Sequence, residues 1–231
     1  MPIIIIILSI LPILLILFLF YASYSIGSGI YLKAFCKAKT SQKVIALSFD
    51  DGPHPRITPK VLDVLAKHDI KAIFFLIGEM AEKYPELVKR IVNEGHLIGN
   101  HSYTHNGKFP ILRKSRMESD LKKCESVLTQ ITNQEIKYFR PPYGVTNPTI
   151  GSVARKLGYK TIGWSIRSLD TKKESRTNVL IRIKRLAHPG GIILMHDNRK
   201  DCNQLTEKVI NHLSIQGYKF IRVDELMEFR R

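Results

Sequence analysis

The stretch Val44-Ile45-Ala46-Leu47-Ser48-Phe49-Asp50-Asp51-Gly52-Pro53-His54 runs from an apolar segment straight into two neighbouring carboxylates and a turn. An apolar, β-branched run of this length followed by Asp, Gly and Pro reads as a buried strand that stops abruptly. Two adjacent acids are costly. Buried and ionised together they repel, so the pair persists where something divides their roles, most simply a cation bound by one of them. Taken alone, Asp-Asp-Gly-Pro is an ordinary polar turn. A histidine pair, an arginine and a second His-Asp further along change that reading.

Outward from this strand the same pattern repeats. Thr58-Pro59 opens a helix, with threonine expected at the N-cap and proline at the first helical position. Residues 72–77 form an apolar run of strand length, and a helix over 79–93 stops before Gly95. Further strands are expected at 96–99, 137–139, 160–166, 191–195 and 219–223, with helices over 115–131, 148–157, 178–187 and 204–215 between them. About seven strands alternating with amphipathic helices indicate an α/β fold with a mainly parallel sheet, either open and doubly wound or an incomplete barrel. Periodicity does not choose between the two. Asp50, His101, Arg140, Asp170 and His196 all fall at or just past the C-terminal ends of expected strands, the rim where α/β proteins of both kinds place their sites.

The chain has 231 residues, and a hydrophobic leader leaves enough for one domain with its own core. No charged residue occurs over 3–32. A helix over 3–24 would be about 33 Å long at 1.5 Å per residue, so a transmembrane anchor is expected over 1–32, a basic linker over 33–43 and a single folded domain over 44–231. The net charge of +16 favours a polyanionic neighbour such as lipid headgroups or acidic glycan. There is no basic stripe interleaved with aromatics and no zinc-finger spacing, so no nucleic-acid partner is expected. Lys33, Lys37, Lys39 and Lys43 follow the apolar span and favour a cytoplasmic domain by the positive-inside rule. Three dispersed cysteines, Cys36, Cys124 and Cys202, indicate neither a disulfide scaffold nor a thiolate metal site.

His101-Ser102-Tyr103-Thr104-His105 sets two imidazoles four apart, a spacing that a helical turn would bring to one face. With Asp51 they make a His-His-Asp set with room for water, the arrangement of an open, catalytic divalent metal site. Arg140-Pro141-Pro142-Tyr143-Gly144 is a stiff loop in which the arginine can hold a carboxylate ionised and the backbone can aim an N–H at a developing oxyanion. The strand 192–195 delivers His196, suited to proton transfer near neutral pH.

These motifs together resemble the polysaccharide deacetylases of carbohydrate esterase family 4, the NodB-like domain, over about residues 44–229: SFDDGP at 48–53, HSYTH at 101–105, RPPYG at 140–144, WSIRSLDT at 164–171 and LMHD at 194–197. The resemblance implies a distorted, incomplete (β/α) barrel and metal-dependent removal of acetyl groups from N-acetylated sugars, as in peptidoglycan or a chitin-like glycan. It implies Asp50 as general base, Asp51, His101 and His105 as ligands of a divalent metal, and His196 as general acid oriented by Asp170. Zinc is the first choice of metal, with cobalt, manganese or nickel as alternatives. Arg140 would position Asp50, the Tyr143 N–H would face the oxyanion, and Trp164 and Leu194 would lie by the acetyl pocket. Arg167 stands where many members have an acid, and Thr171 where a tryptophan is frequent. Within the same site an O-acetyl, xylan-type esterase remains an alternative, and a catalytically silent glycan-binding module is the alternative from another class. The expected assembly is a monomer, attached to the membrane by its N-terminal helix with the domain on the envelope side.

Overall fold

The computed structural model describes residues 2–172 and 174–229. Strand β2 (Val44–Gly52) is the axis of the sheet, buried throughout except at Asp51, as suits a parallel strand covered on both faces. Its alternation sorts the core into two parts. Ile45, Leu47 and Phe49 face outward to α2 (Thr58–Lys67), α7 (Arg176–Leu186) and α8 (Cys202–Ile215). Val44 and Ala46 face inward, onto Phe35, Ile73, Phe75, Ile162 and Ile192. Ser48 and Asp50 continue that inward row, so the barrel interior turns polar as it approaches the rim. Each fully buried Ile, Leu or Phe contributes roughly 1.5–3 kcal/mol by leaving water.

β2 pairs in parallel with β3 (Ile73–Leu76) and with β8 (Gly191–His196), and its first residues also pair with β9 (Lys219–Phe220). From β3 the sheet continues through β4 (Leu97–Asn100), β5 (Tyr138–Phe139) and β6 (Lys160–Ile162) to β1 (Ala34–Phe35), while β7 (Ile166–Arg167) flanks β8 at the other end. The result is a nine-stranded half-barrel whose named strand pairings are all parallel. The expected single strand over 160–166 is two strands, β6 beside the edge strand β1 and β7 at the opposite edge of the sheet. Residues 163–165 span the opening between them, with the Gly163 N–H on Phe35 O and the Ser165 N–H on Ile192 O.

The remaining helices are α3 (Gly78–Lys83), α4 (Pro85–Asn93), α5 (Lys114–Thr132), α6 (Pro148–Lys156) and α9 (Val223–Glu228). The expected helix over 79–93 breaks at Tyr84, because Pro85 disfavours a helical residue before it. Asn147 and Ser175 cap α6 and α7 with their side chains. Thr58 is the first helical residue and not the cap, which is Ile57.

The N-terminal expectation is corrected. Helix α1 (Pro2–Tyr24) forms, but among the described residues no helix is long and apolar enough to cross a membrane. The single-pass anchor, the membrane attachment and the localisation built on them are therefore not supported. The end of α1 rests on the domain: Ala22 is buried, the Thr146 hydroxyl donates to Ala22 O at 2.8 Å and the Thr146 N–H to Ser23 O at 2.8 Å. Segment 33–43 is likewise part of the fold and not a free linker, since it carries β1 and a bridge from Lys37 to Gly191.

Candidate active site

Successive residues of a strand point to opposite faces, so Asp50 and Asp51 should diverge. They do not, because the β2–β3 register shifts between Asp50 and Gly52 and Asp51 takes a left-handed backbone, φ 73°. Both carboxylates consequently enter the mouth of the half-barrel. Asp50 is buried against Arg140, the largest fully buried side chain of the described core. Arg140 Nη1 donates to Asp50 Oδ1 at 2.6 Å and to Ser48 Oγ at 3.0 Å, while Nε and Nη2 donate to the carbonyls of Ile162 and Gly163. Its guanidinium also lies 4.2 Å from the Phe75 ring centroid. A buried arginine so fully satisfied fixes Asp50 in orientation.

The histidine pair converges by another route than the expected helical turn. Residues 101–105 are a loop, with Ser102 at φ 69° and His105 at φ 47°. The Ser102 N–H donates to Asn100 Oδ1, and Ser102 Oγ accepts from the His105 N–H. These bonds fold the loop until the two imidazole centroids are 4.8 Å apart. His101 Nδ1 lies 2.8 Å from Arg140 O. A carbonyl only accepts, so Nδ1 carries the proton and Nε2 faces Asp51 Oδ1 at 3.5 Å. His105 Nε2 is 3.3 Å from the same oxygen. Burial, then the neighbouring His101, pushes the His105 imidazole down to about 4, so it is neutral at pH 7. Burial raises the Asp51 carboxyl, but the hydrogen bond and charge of His101, then His196 and His105, outweigh it and hold it well below the usual range. Two imidazole nitrogens and a carboxylate oxygen pointed at one another are a donor set for a cation. Their ligand atoms all lie within 4.8 Å of one another, so the donor set fits a divalent metal with open positions.

On the other flank, His196 Nδ1 is 2.7 Å from Asp170 Oδ1, and the His196 N–H donates to Asp170 Oδ2 at 2.8 Å. Ser168 Oγ donates to the same carboxylate. Burial alone would lower the His196 imidazole; the hydrogen bond and charge of Asp170, with Asp50 and Asp51, raise it. With Nδ1 committed, Nε2 is the nitrogen left for other partners. Tyr143 has φ 62°, its hydroxyl donates to His105 O at 2.9 Å, and its N–H has no backbone acceptor among the described residues. Gly144 follows at φ 69°, and a Cβ there would meet the Trp164 ring, so glycine is required where the loop passes the indole. Trp164 and Leu194 line the same cavity of about 450 Å³ as the metal set and His196.

The sequence profile of the family described as Polysaccharide deacetylase matches residues 37–162, just over half of the chain. The chain belongs to that family. This deacetylase acts on the amide bonds of N-acetylated sugars. It is 35% identical to the peptidoglycan-N-acetylmuramic acid deacetylase PdaA of Bacillus subtilis, over 84% of this chain and 75% of that one. It is 34% identical to a peptidoglycan-N-acetylglucosamine deacetylase of Bacillus cereus, over 80% and 68%. The solved structure of B. subtilis PdaA, described as a family 4 carbohydrate esterase, superposes with a TM-score of 0.77 over 86% of each chain at 34% identity.

All ten site positions expected from the sequence fall on this rim of the deacetylase. Four neighbours were given no role in the site from it. Asn198 Nδ2 donates to Asp51 Oδ2 at 3.3 Å, and Arg199 lines the cavity. The Thr58 hydroxyl donates to fully buried Asp197, which burial pushes up to about 7. Three of these residues directly follow His196, and that adjacency was the available signal.

Proposed function

We propose that this deacetylase removes acetyl groups from the N-acetyl sugars of peptidoglycan and does so with a divalent cation, zinc first, held by Asp51, His101 and His105. The carrying observation is the convergence of those three ligand atoms, with Asp50–Arg140 on one flank and His196–Asp170 on the other. The names of the relatives support the glycan. A cation there would supply Lewis acidity toward the acetamide carbonyl and toward a water. Asp50, oriented by its hydrogen bond from Arg140, takes the proton of the attacking water as general base. The Tyr143 N–H is free of backbone partners and faces the developing oxyanion. Trp164 and Leu194 wall the acetyl methyl. His196 Nε2 then protonates the departing amine; without an acid the leaving group would be an amide anion. Asp170 keeps the imidazole protonated and aimed.

The test is acetate release from peptidoglycan by purified protein, before and after exhaustive chelation and after return of zinc or cobalt, alongside metal analysis. Activity should vanish on chelation and return with metal. Full turnover by metal-free protein would overturn the reading.

A further inference from the structure

Resting on the metal reading above, we infer that Asp120 of α5 is the positioning residue of the metal site: its carboxylate clamps the backbone between the two histidine ligands and thereby sets the affinity for the cation. Residues 101–105 form a loop with left-handed backbone at Ser102 and His105. Side chains other than glycine keep that conformation only where their surroundings over-determine it. Here side chains take all four N–H groups of residues 102–105. Asn100 Oδ1 accepts from Ser102 and Ser102 Oγ accepts from His105, bonds made at the threshold of the loop and within it. The two between them are held from another element. Asp120 Oδ1 accepts the Tyr103 N–H at 2.7 Å, and Oδ2 accepts the Thr104 N–H at 3.3 Å and the Thr104 hydroxyl at 3.0 Å.

Helix α3 grips the same stretch by its carbonyls: the Gly78 N–H donates to Ser102 O and the Glu79 N–H to Tyr103 O, each at 3.0 Å. The Tyr103 side chain fills the seam between the two helices, its hydroxyl donating to Glu82 of α3 and its ring lying under Lys123 of α5. The two imidazoles differ in their need for this clamp. His101 ends a strand and its ring is fixed on Arg140 O. Apart from the nitrogen that faces Asp51, the hydrogen bonds of His105 among the described residues run through its backbone, to Ser102 Oγ and from the Tyr143 hydroxyl. Its imidazole therefore goes where the loop carries it, and the bonds that fix the loop to the scaffold just before it are those of Asp120. Groups behind a metal ligand that fix its orientation govern affinity without touching the metal.

The experiment measures zinc affinity of the purified full chain by competition with a chromophoric chelator, with thermal midpoints of the metal-free proteins alongside. Asp120→Ala should raise the zinc Kd by about 10–100-fold. Asp120→Asn keeps an acceptor for the Tyr103 N–H but turns a donor toward Thr104, so its Kd should fall between those of Asp120→Ala and wild type. In both variants kcat at saturating zinc should return to near the wild-type value, because the clamp touches no substrate. Glu118→Gln on the same helix breaks ion pairs with Lys122 and Lys156 and should leave zinc affinity unchanged, which separates the clamp from general loosening of α5. Wild-type zinc affinity in Asp120→Ala, or in Asp120→Asn should the alanine variant not fold, would overturn the assignment, as would an equal loss in Glu118→Gln. Wild-type protein that takes up no zinc, or whose affinity survives His105→Ala, would instead defeat the metal reading. Hydrogen exchange then decides the clamp: the Tyr103 and Thr104 amides should exchange about tenfold faster in Asp120→Ala, and equal protection refutes it.

Discussion

At the scale of single residues, the two proton-transfer candidates are prepared in opposite ways. Asp50 is paired with a buried guanidinium, whereas His196 is paired with a carboxylate that raises its imidazole. An acid is active only while protonated, so turnover holds below the raised value of His196 and falls as pH rises through it. Asp170→Asn removes the hydrogen-bonded charge that raises the imidazole. The alkaline limb of kcat/KM should therefore move to lower pH, with turnover at neutral pH down about 10²-fold. An unmoved limb would remove Asp170 from this role. These residues were legible because each sits where an apolar run meets an unusual polar pair. The geometry that joins His101 to His105 was not. A four-residue spacing is what a helix would use, and nothing in the letters distinguishes that from a loop turned by left-handed backbone at Ser102 and His105. The Thr58–Asp197 bond joins residues far apart in the chain and leaves no local mark.

Among the elements, β2 decides the most. Its break in alternation at Asp51 is what brings two neighbouring acids into one mouth, and the space for that break depends on Gly52. A Cβ built at Gly52 would collide with the Asp197 carboxylate, on the segment that immediately follows His196. Gly52→Ala should therefore cost about 1–3 kcal/mol in urea unfolding and also lower turnover, because relief of the clash shifts the end of β8. Normal stability together with normal turnover would show that the contact is easily relieved. Helices and central strands were readable from periodicity and apolar runs. The errors fell where a short run hides a change of partner. Residues 160–166 look continuous, yet β6 pairs with β5 and β1 while β7 pairs with β8. Val223 looks like the end of a strand, yet it starts α9.

For the whole molecule, an α/β class follows from the alternation of elements, but open sheet and incomplete barrel share that alternation, and only the pairing at the edges separates them. The net charge of +16 was equally plain and equally silent about its partner. On an acidic glycan it acts over roughly a Debye length, about 10 Å at 0.1 M salt. KM for acidic wall glycan should rise steadily with ionic strength, while KM for a neutral chitooligosaccharide changes little. Parallel salt dependences would assign the charge to something other than substrate capture.

The short span over 163–165 works as a clasp. The Gly163 carbonyl receives Arg140, Ser165 is bonded to β8, and the indole between them borders the acetyl pocket. Spreading the two sheet edges would drag that indole and slacken the guanidinium behind the base in a single movement. Closure of the scaffold and competence of the chemistry are thereby tied together, and looseness at this seam should register as lost catalysis before it registers as unfolding.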